Sequence, residues 1–344
     1  MRIGVVGYGT GGRHFHVPFI LAASTVDLVG VVARAPDTIA KVHQDLPSTP
    51  VFPSLTAMLA AGGIDAVTIT TPPQTRRDLV KEAVAAGVHV IADKPFAEDA
   101  GSAFELAQAA RDRGIILGVY HNRRWDADVL TLRRVLEEGR LGKIWRLHSR
   151  MDLDQPASLE AGPTGGLLRD LGSHLVDQTL WLLGPVVSVD AQFDTVTLAA
   201  GQTDAGFTIS LRHESGVHSH LSASKLNHVS TRELRAYGAA GAYVSRSTDV
   251  QAQAVVAGRR PLDQMASWGF EPEASWGVLH TSQGEVSVPF EQGCYHAYYE
   301  AFSKAVRTGS PPPVTAEEAI AALQVLDAAR ISATEGRSVR IASG

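Results

Sequence analysis

At 344 residues the chain exceeds the length at which one hydrophobic core usually stops growing, so two domains are expected. Hydrophobic residues at 44% and charged residues at 19% are ordinary globular values and exclude a disordered or fibrous chain. The formal charge of -5 argues against nucleic acid as the main partner, because phosphate recognition normally needs a clustered basic surface.

The single cysteine, Cys294, can form no disulfide within the chain. It reads as a buried, inert thiol, and a reducing cytoplasm is the expected compartment. An apolar strand begins within two residues of Met1, which leaves no room for a secretory leader. No run approaches the roughly 18 apolar residues of a membrane span, so no membrane partner is expected.

From Arg2 to about Val119 short Val/Ile-rich runs alternate with longer Ala-rich amphipathic segments, which predicts strand-helix units around a parallel sheet. The runs Ile3 to Val6, Leu28 to Ala33, Ala66 to Thr70, Val88 to Ala92 and Ile115 to Val119 suit strands covered on both faces. Pro36 to Asp45, Thr75 to Ala86 and Glu98 to Arg113 read as the intervening helices, with Gly87 and Gly114 as stops. The texture changes near residues 120 to 125, and the domains are placed at 1–121 and 122–344.

Beyond that boundary the pattern predicts a helix around Asp128 to Glu138, a strand near Ile144 to Met151 and a turn-rich stretch from Pro156 to Gly166. Apolar and polar residues alternate from Val186 to Val288, as in Phe207-Thr208-Ile209-Ser210-Leu211, which predicts a largely antiparallel sheet. Thr315 can cap a final helix over Ala316 to Glu335.

Chemistry enters where the first strand ends. Gly7-Tyr8-Gly9-Thr10-Gly11-Gly12 is G-x-G-x-x-G between a strand and a helix. Its glycines permit the tight turn, the approach of backbone to a pyrophosphate and close helix packing. NAD-specific versions carry an acid about 20 residues later, at the end of the second strand. This chain has Ala33-Arg34 there, and a guanidinium can grip a 2′-phosphate that a carboxylate would repel. NADP(H) is therefore favoured over NAD(H), although Asp37 could swing toward the ribose.

The strand Val88 to Ala92 runs into Asp93-Lys94-Pro95, placing a lysine at the carboxyl edge where open α/β sheets bind ligands. Its ammonium suits an alkoxide developing as hydride leaves. A third constellation, Asp170 to Asp177, follows Thr164-Gly165-Gly166. If it opens a helix, Asp170 and His174 share a face, and the carboxylate would orient an imidazole that shuttles protons near neutral pH. Asp177 could do the same from the next turn, or simply cap or salt-bridge. His218 and His220 share a strand face, but no third ligand stands nearby, so no metal is expected.

In this order the motifs resemble the Gfo/Idh/MocA family of oxidoreductases over essentially the whole chain. The resemblance implies a Rossmann domain with a doubly wound parallel sheet, followed by an α+β domain with an open-faced, mainly antiparallel sheet. That sheet often serves dimer or tetramer contacts, and the C-terminal helix 315–335 is expected to pack back on the first domain. The resemblance further implies Lys94, Asp170 and His174 as the catalytic set, with Thr71, Pro72 and Asp93 beside Gly7, Tyr8, Gly9, Thr10, Gly12, Ala33, Arg34 and Lys94 at the cofactor.

Phe15-His16-Val17-Pro18 and His121-Asn122-Arg123-Arg124-Trp125-Asp126 look like the NADP-dependent scyllo-inositol 2-dehydrogenase branch, which interconverts a ring polyol and an inosose. Asn122, Arg123 and Asp152 are the candidates for positioning substrate hydroxyls. Two departures stand out. Arg76 occupies the position of the family's usual histidine, and the stretch Asp152 to Gly166 is short and lacks the Trp-Arg pair of that branch. The expected activity is hydride transfer between NADP(H) and a secondary alcohol or ketone of a cyclic polyol or sugar. The alternatives are an anhydro-sugar or aldose reductase of the same fold and a non-catalytic dinucleotide-binding regulator.

Overall fold

The computed structural model describes residues 1–162 and 165–341, so that Thr164 of the glycine-bearing stretch lies outside the described residues. In chain order the elements are β1 Arg2–Val6, α1 Val17–Ala22, β2 Asp27–Val32, α2 Pro36–Asp45, β3 Val51–Phe52, α3 Leu55–Ala61, β4 Ala66–Ile69, α4 Pro73–Ala85, β5 His89–Asp93, α5 Ala100–Asp112 and β6 Leu117–Tyr120. There follow α6 Ala127–Glu137, β7 Ile144–Asp152, α7 Ser173–Leu183, β8 Val186–Leu198, β9 Gly201–His213, β10 His218–Ser224, β11 Thr231–Gly238, β12 Gly241–Ser247 and α8 Val250–Val256. Last come β13 Gly277–Thr281, β14 Gly284–Val288, α9 His296–Thr308, α10 Ala316–Glu335 and β15 Val339–Arg340.

Two compact units form. The first holds Met1–Asn122, Ala252–Trp268 and Cys294–Ile320, and the second Arg123–Gln251, Gly269–Gly293 and Ala321–Gly344. In the first unit six strands pair in the order β3-β2-β1-β4-β5-β6, all parallel. The order reverses between β1 and β4, the switch point outside whose carboxyl ends an open α/β sheet binds ligands. Ile3, Val5, Val67, Ile69, Val90 and Val119 are fully buried, as residues of strands sandwiched between helices must be. Their β-branched side chains suit the pleated strand and would lose rotamer freedom in a helix.

Local capping explains where helices start. Asp99 accepts from the Ser102 amide at 2.7 Å ahead of α5. Thr315 and Glu318 form a reciprocal capping box ahead of α10, at 3.2 and 2.8 Å. The strand β3 and the helix α3 carry no run long enough to stand out in the sequence pattern, and α9 was likewise not separated from the tail.

The second unit is built on nine strands in the order β14-β13-β12-β11-β7-β10-β9-β8-β15. Neighbours are antiparallel except β7 and β10, which run parallel with His148 opposite His220. Along β9, Phe207, Ile209 and Leu211 are buried while Thr208, Ser210 and Arg212 face outward. Leu132, Val135, Leu147, Leu234, Tyr243 and Leu279 form the core between α6 and the sheet. The alternation read from Val186 to Val288 is interrupted. Residues 250–275 form α8 and three 3-10 turns rather than strands, because the Ala-rich start favours helix and Pro261 and Pro272 cannot donate to a ladder.

Candidate active site

The first unit carries the glycine loop. Gly7 has φ of +102°, outside the range side chains tolerate, and its amide donates to the Val32 carbonyl at 3.1 Å. A Cβ on Gly12 would stand 2.4 Å from the Gly7 carbonyl oxygen, so the helix can approach the turn only without a side chain there. A Cβ on Gly9 would meet nothing within 4 Å. One glycine packs, the other keeps space open, as a pyrophosphate seat requires. Thr10 precedes a π-helical turn, Gly11–His16, that continues into α1.

Beside the loop lies a cavity of about 560 Å³ lined by Gly7, Tyr8, Gly9, Ala33, Arg34 and Thr71 among others. Thr38 lines it and Asp37 does not. The carboxylates that reach it, Asp78 and Glu82, come from α4 rather than from the end of β2. These residues fit a dinucleotide. Tyr8 is only 4% exposed, and its hydroxyl donates to Asp45 at 3.0 Å while Arg13 grips the same carboxylate through two nitrogens at 2.6 and 3.1 Å. The loop is thereby fastened to the end of α2. Burial and the neighbouring Asp45 carboxylate raise the Tyr8 phenol well above its ordinary value, so it stays a hydrogen-bond donor.

Lys94 stands at the carboxyl end of β5, in a turn whose bond to Pro95 is cis. Its backbone amide donates to Asp93 Oδ1 at 2.8 Å, and His16 Nε2 lies 3.4 Å from the same oxygen. Burial works to raise the Asp93 carboxyl, but His16, Arg76 and Lys94 outweigh it and hold the group below its ordinary value. Arg76 is buried and donates to the carbonyls of Asp93 at 2.5 Å, of Thr71 at 2.6 Å and of Pro95. One guanidinium thus ties the segment after β4, where Thr71 and Pro72 lie, to the turn that presents Lys94.

In the second unit Asp170 sits in a π-helical turn, Leu168–Gly172, that runs straight into α7, whose second residue is His174. The predicted helical setting of the pair is therefore present. His174 is 6% exposed. Asp170 Oδ2 accepts from Lys225 Nζ at 2.8 Å, a partner 55 residues away that sequence reasoning missed. Asp177 is taken up by Arg124 in a two-point ion pair at 2.9 and 2.7 Å, both side chains being 2% exposed. A bridging role thus fits Asp177 better than charging His174.

The three residues expected to position substrate stand differently. Asn122 is buried at the start of a 3-10 turn, Asn122–Trp125. Arg123 makes a two-point pair with Asp249 at 2.9 and 2.8 Å and lies 3.3 Å from Asp126. Asp152 is buried, with Arg150 Nε and Nη2 both 2.5 Å from its Oδ2. On the outer face of the second sheet His220 contacts Ser210 at 3.0 Å and packs on His148, ring centroids 4.9 Å apart. Cys294 is half-buried. No helix among the described residues is long and apolar enough to cross a membrane.

Comparison with known proteins agrees with the two-unit fold. Residues 1–121 match the family model described as an oxidoreductase family with an NAD-binding Rossmann fold, and residues 129–244 match the GFO/IDH/MocA C-terminal domain. The chain is 29% identical to scyllo-inositol 2-dehydrogenase (NADP(+)) IolW of Bacillus subtilis, covering 99% of this chain and 96% of that protein. It is 32% identical to the uncharacterized oxidoreductase YdgJ of Escherichia coli over 95% of this chain and 94% of that one. The solved structure of YvaA from Bacillus subtilis superposes with a TM-score of 0.90 at 30% identity, covering 99% and 98% of the two chains. With its parallel Rossmann sheet, its mainly antiparallel second sheet and its glycine loop, the chain belongs to the Gfo/Idh/MocA family of oxidoreductases.

Proposed function

We propose that this oxidoreductase transfers hydride between NADP(H) and a secondary alcohol or ketone of a cyclic polyol or sugar, with scyllo-inositol and its inosose as the first pair to test. The observation that carries the reading is a glycine-loop cavity edged by Arg34 on a chain that also holds Lys94, Asp170 and His174. In the oxidation direction His174 accepts the hydroxyl proton. Asp170 supplies the charge that orients the imidazole, and the Lys94 ammonium stabilises the oxygen as negative charge develops on it. The bound nicotinamide supplies the hydride acceptor, or the donor in reverse.

Preference for NADP(H) rests on Arg34 at the cavity and on the absence of Asp37 from its lining. The similarity to an NADP-dependent relative supports it. Asn122 and Arg123 are the first candidates for positioning substrate hydroxyls, with Asp152 after them, although Arg123 and Asp152 are each held in an ion pair, with Asp249 and Arg150 respectively. A screen of inositols, aldoses and dicarbonyl sugars with NADP(H) and NAD(H), read by absorbance of the reduced nicotinamide, tests the reading. Turnover of a cyclic polyol with NADP+ is expected. Turnover confined to a different alcohol class, or none with any substrate, contradicts it.

We also propose a homodimer or homotetramer in the cytoplasm. The outer face of the second sheet presents Tyr237, Val244 and Val278 beside charged residues along a depression of about 420 Å³, a surface that a second copy can cover. Light scattering at micromolar concentration should report at least twice the chain mass, and a monomer would refute this assignment.

A further inference from the structure

We infer that Lys225 is a positioning residue of the catalytic pair: its ammonium partly cancels the field of Asp170, so that His174 stays a free base near neutral pH. The inference rests on the roles proposed above for Asp170 and His174. Lys225 follows directly on β10, where Ser224 pairs with Gly206 of β9 and Asp152 of β7. Its amide donates to the Ala205 carbonyl at 3.0 Å. The lysine is therefore placed by sheet register rather than by a loose loop.

Its side chain is 5% exposed and Asp170's is 47% exposed, with Nζ and Oδ2 2.8 Å apart. A lysine so deeply buried needs a counter-ion, and among the described residues Asp170 is the acid paired with it. Asp170 gains a second task from this. It lies four residues before His174 on one continuous helical path, the spacing at which side chains meet. A bare carboxylate there would favour the imidazolium, and an imidazolium cannot accept a hydroxyl proton. With the lysine in place the carboxylate can still orient the ring while its charge is largely matched.

Other charges stand on the same and neighbouring elements. Asp204 of β9 accepts from the Leu168 amide at 2.5 Å, Asp152 of β7 is held by Arg150, Asp177 of α7 is held by Arg124, and Arg169 lies on the same turn. His213 of β9 bonds to the Gly184 carbonyl, at the far end of α7. None of these changes in the comparison that tests the idea, and neither does Lys94.

The test is the titration midpoint of the His174 ring, followed by imidazole nitrogen NMR and assigned by the signal lost in His174→Gln. It requires no substrate. In Lys225→Met the midpoint should rise by about one unit, in Asp170→Asn it should fall, and in the double variant it should return to within a few tenths of the unsubstituted protein. A structural role alone would not produce opposite shifts that cancel. An unmoved midpoint in Lys225→Met, with NADPH affinity and near-UV dichroism intact, overturns the inference. If that variant does not fold, Asp170→Asn decides, because a midpoint that rises or stays put overturns it equally. Should no polyol be turned over while the midpoints move as stated, the inference stands and the proposed substrate class falls.

Discussion

At the scale of single residues, the groups that carry the account differ in how far they could be read from the chain. Arg34 was legible because its place at the end of β2 follows from local pattern, and it does line the cavity. Replacing it by alanine should weaken NADPH binding about tenfold or more, the worth of a charge-assisted phosphate contact, while NADH binding changes less than about twofold. Fluorescence titration of both cofactors measures this, and equal weakening would show that Arg34 does not read the 2′-phosphate. Arg76 was visible only as a departure from the family's histidine. That its guanidinium gathers carbonyls from two segments follows from the planar fork of donors a histidine lacks, and only coordinates reveal it. The ion pairs Lys225–Asp170 and Arg124–Asp177 were not legible either, since their partners lie 55 and 53 residues apart and no periodicity links them.

At the scale of elements, most of the parallel half was readable because β1, β4, β5 and β6 are largely buried on both faces and the longer helices α2, α4 and α5 start at a Pro or an Asp cap, whereas the short β3 and α3 carry no such signal. The second half was less so. Its sheet face alternates clearly, but the parallel pairing of β7 with β10 depends on sequence-distant register, and α8 hides inside an otherwise strand-like span. The glycine loop offers the sharpest element-level prediction. Gly9→Ala adds a methyl where nothing stands within 4 Å, so thermal stability should change by less than about 1 kcal/mol. The same methyl would project where the backbone must approach the pyrophosphate, so NADPH affinity should fall at least about tenfold. Unchanged affinity would place the cofactor elsewhere.

At the scale of the whole molecule, partly buried histidines make stability depend on pH, and three of them lie on the second sheet. Burial lowers His148, His213 and His220 below the ordinary 6.5, and for His148 the neighbouring His220 adds to it. The unfolded chain therefore binds protons that these sites refuse. Their contribution to stability is complete above the unfolded value and is lost as pH falls through the folded ones. Tm should drop between about pH 7 and about pH 5, and His213→Gln should flatten the slope; a Tm that rises over that window would contradict the assignment. The proposed role of His174 is to take the substrate's hydroxyl proton. Initial rates of NADP+ reduction with scyllo-inositol, compared between the unsubstituted protein and His174→Ala at matched cofactor saturation, test it most directly. Turnover is expected in the first and a kcat lower by about 10² to 10⁴ in the second, with NADPH affinity little changed. Equal rates in the two proteins would contradict it.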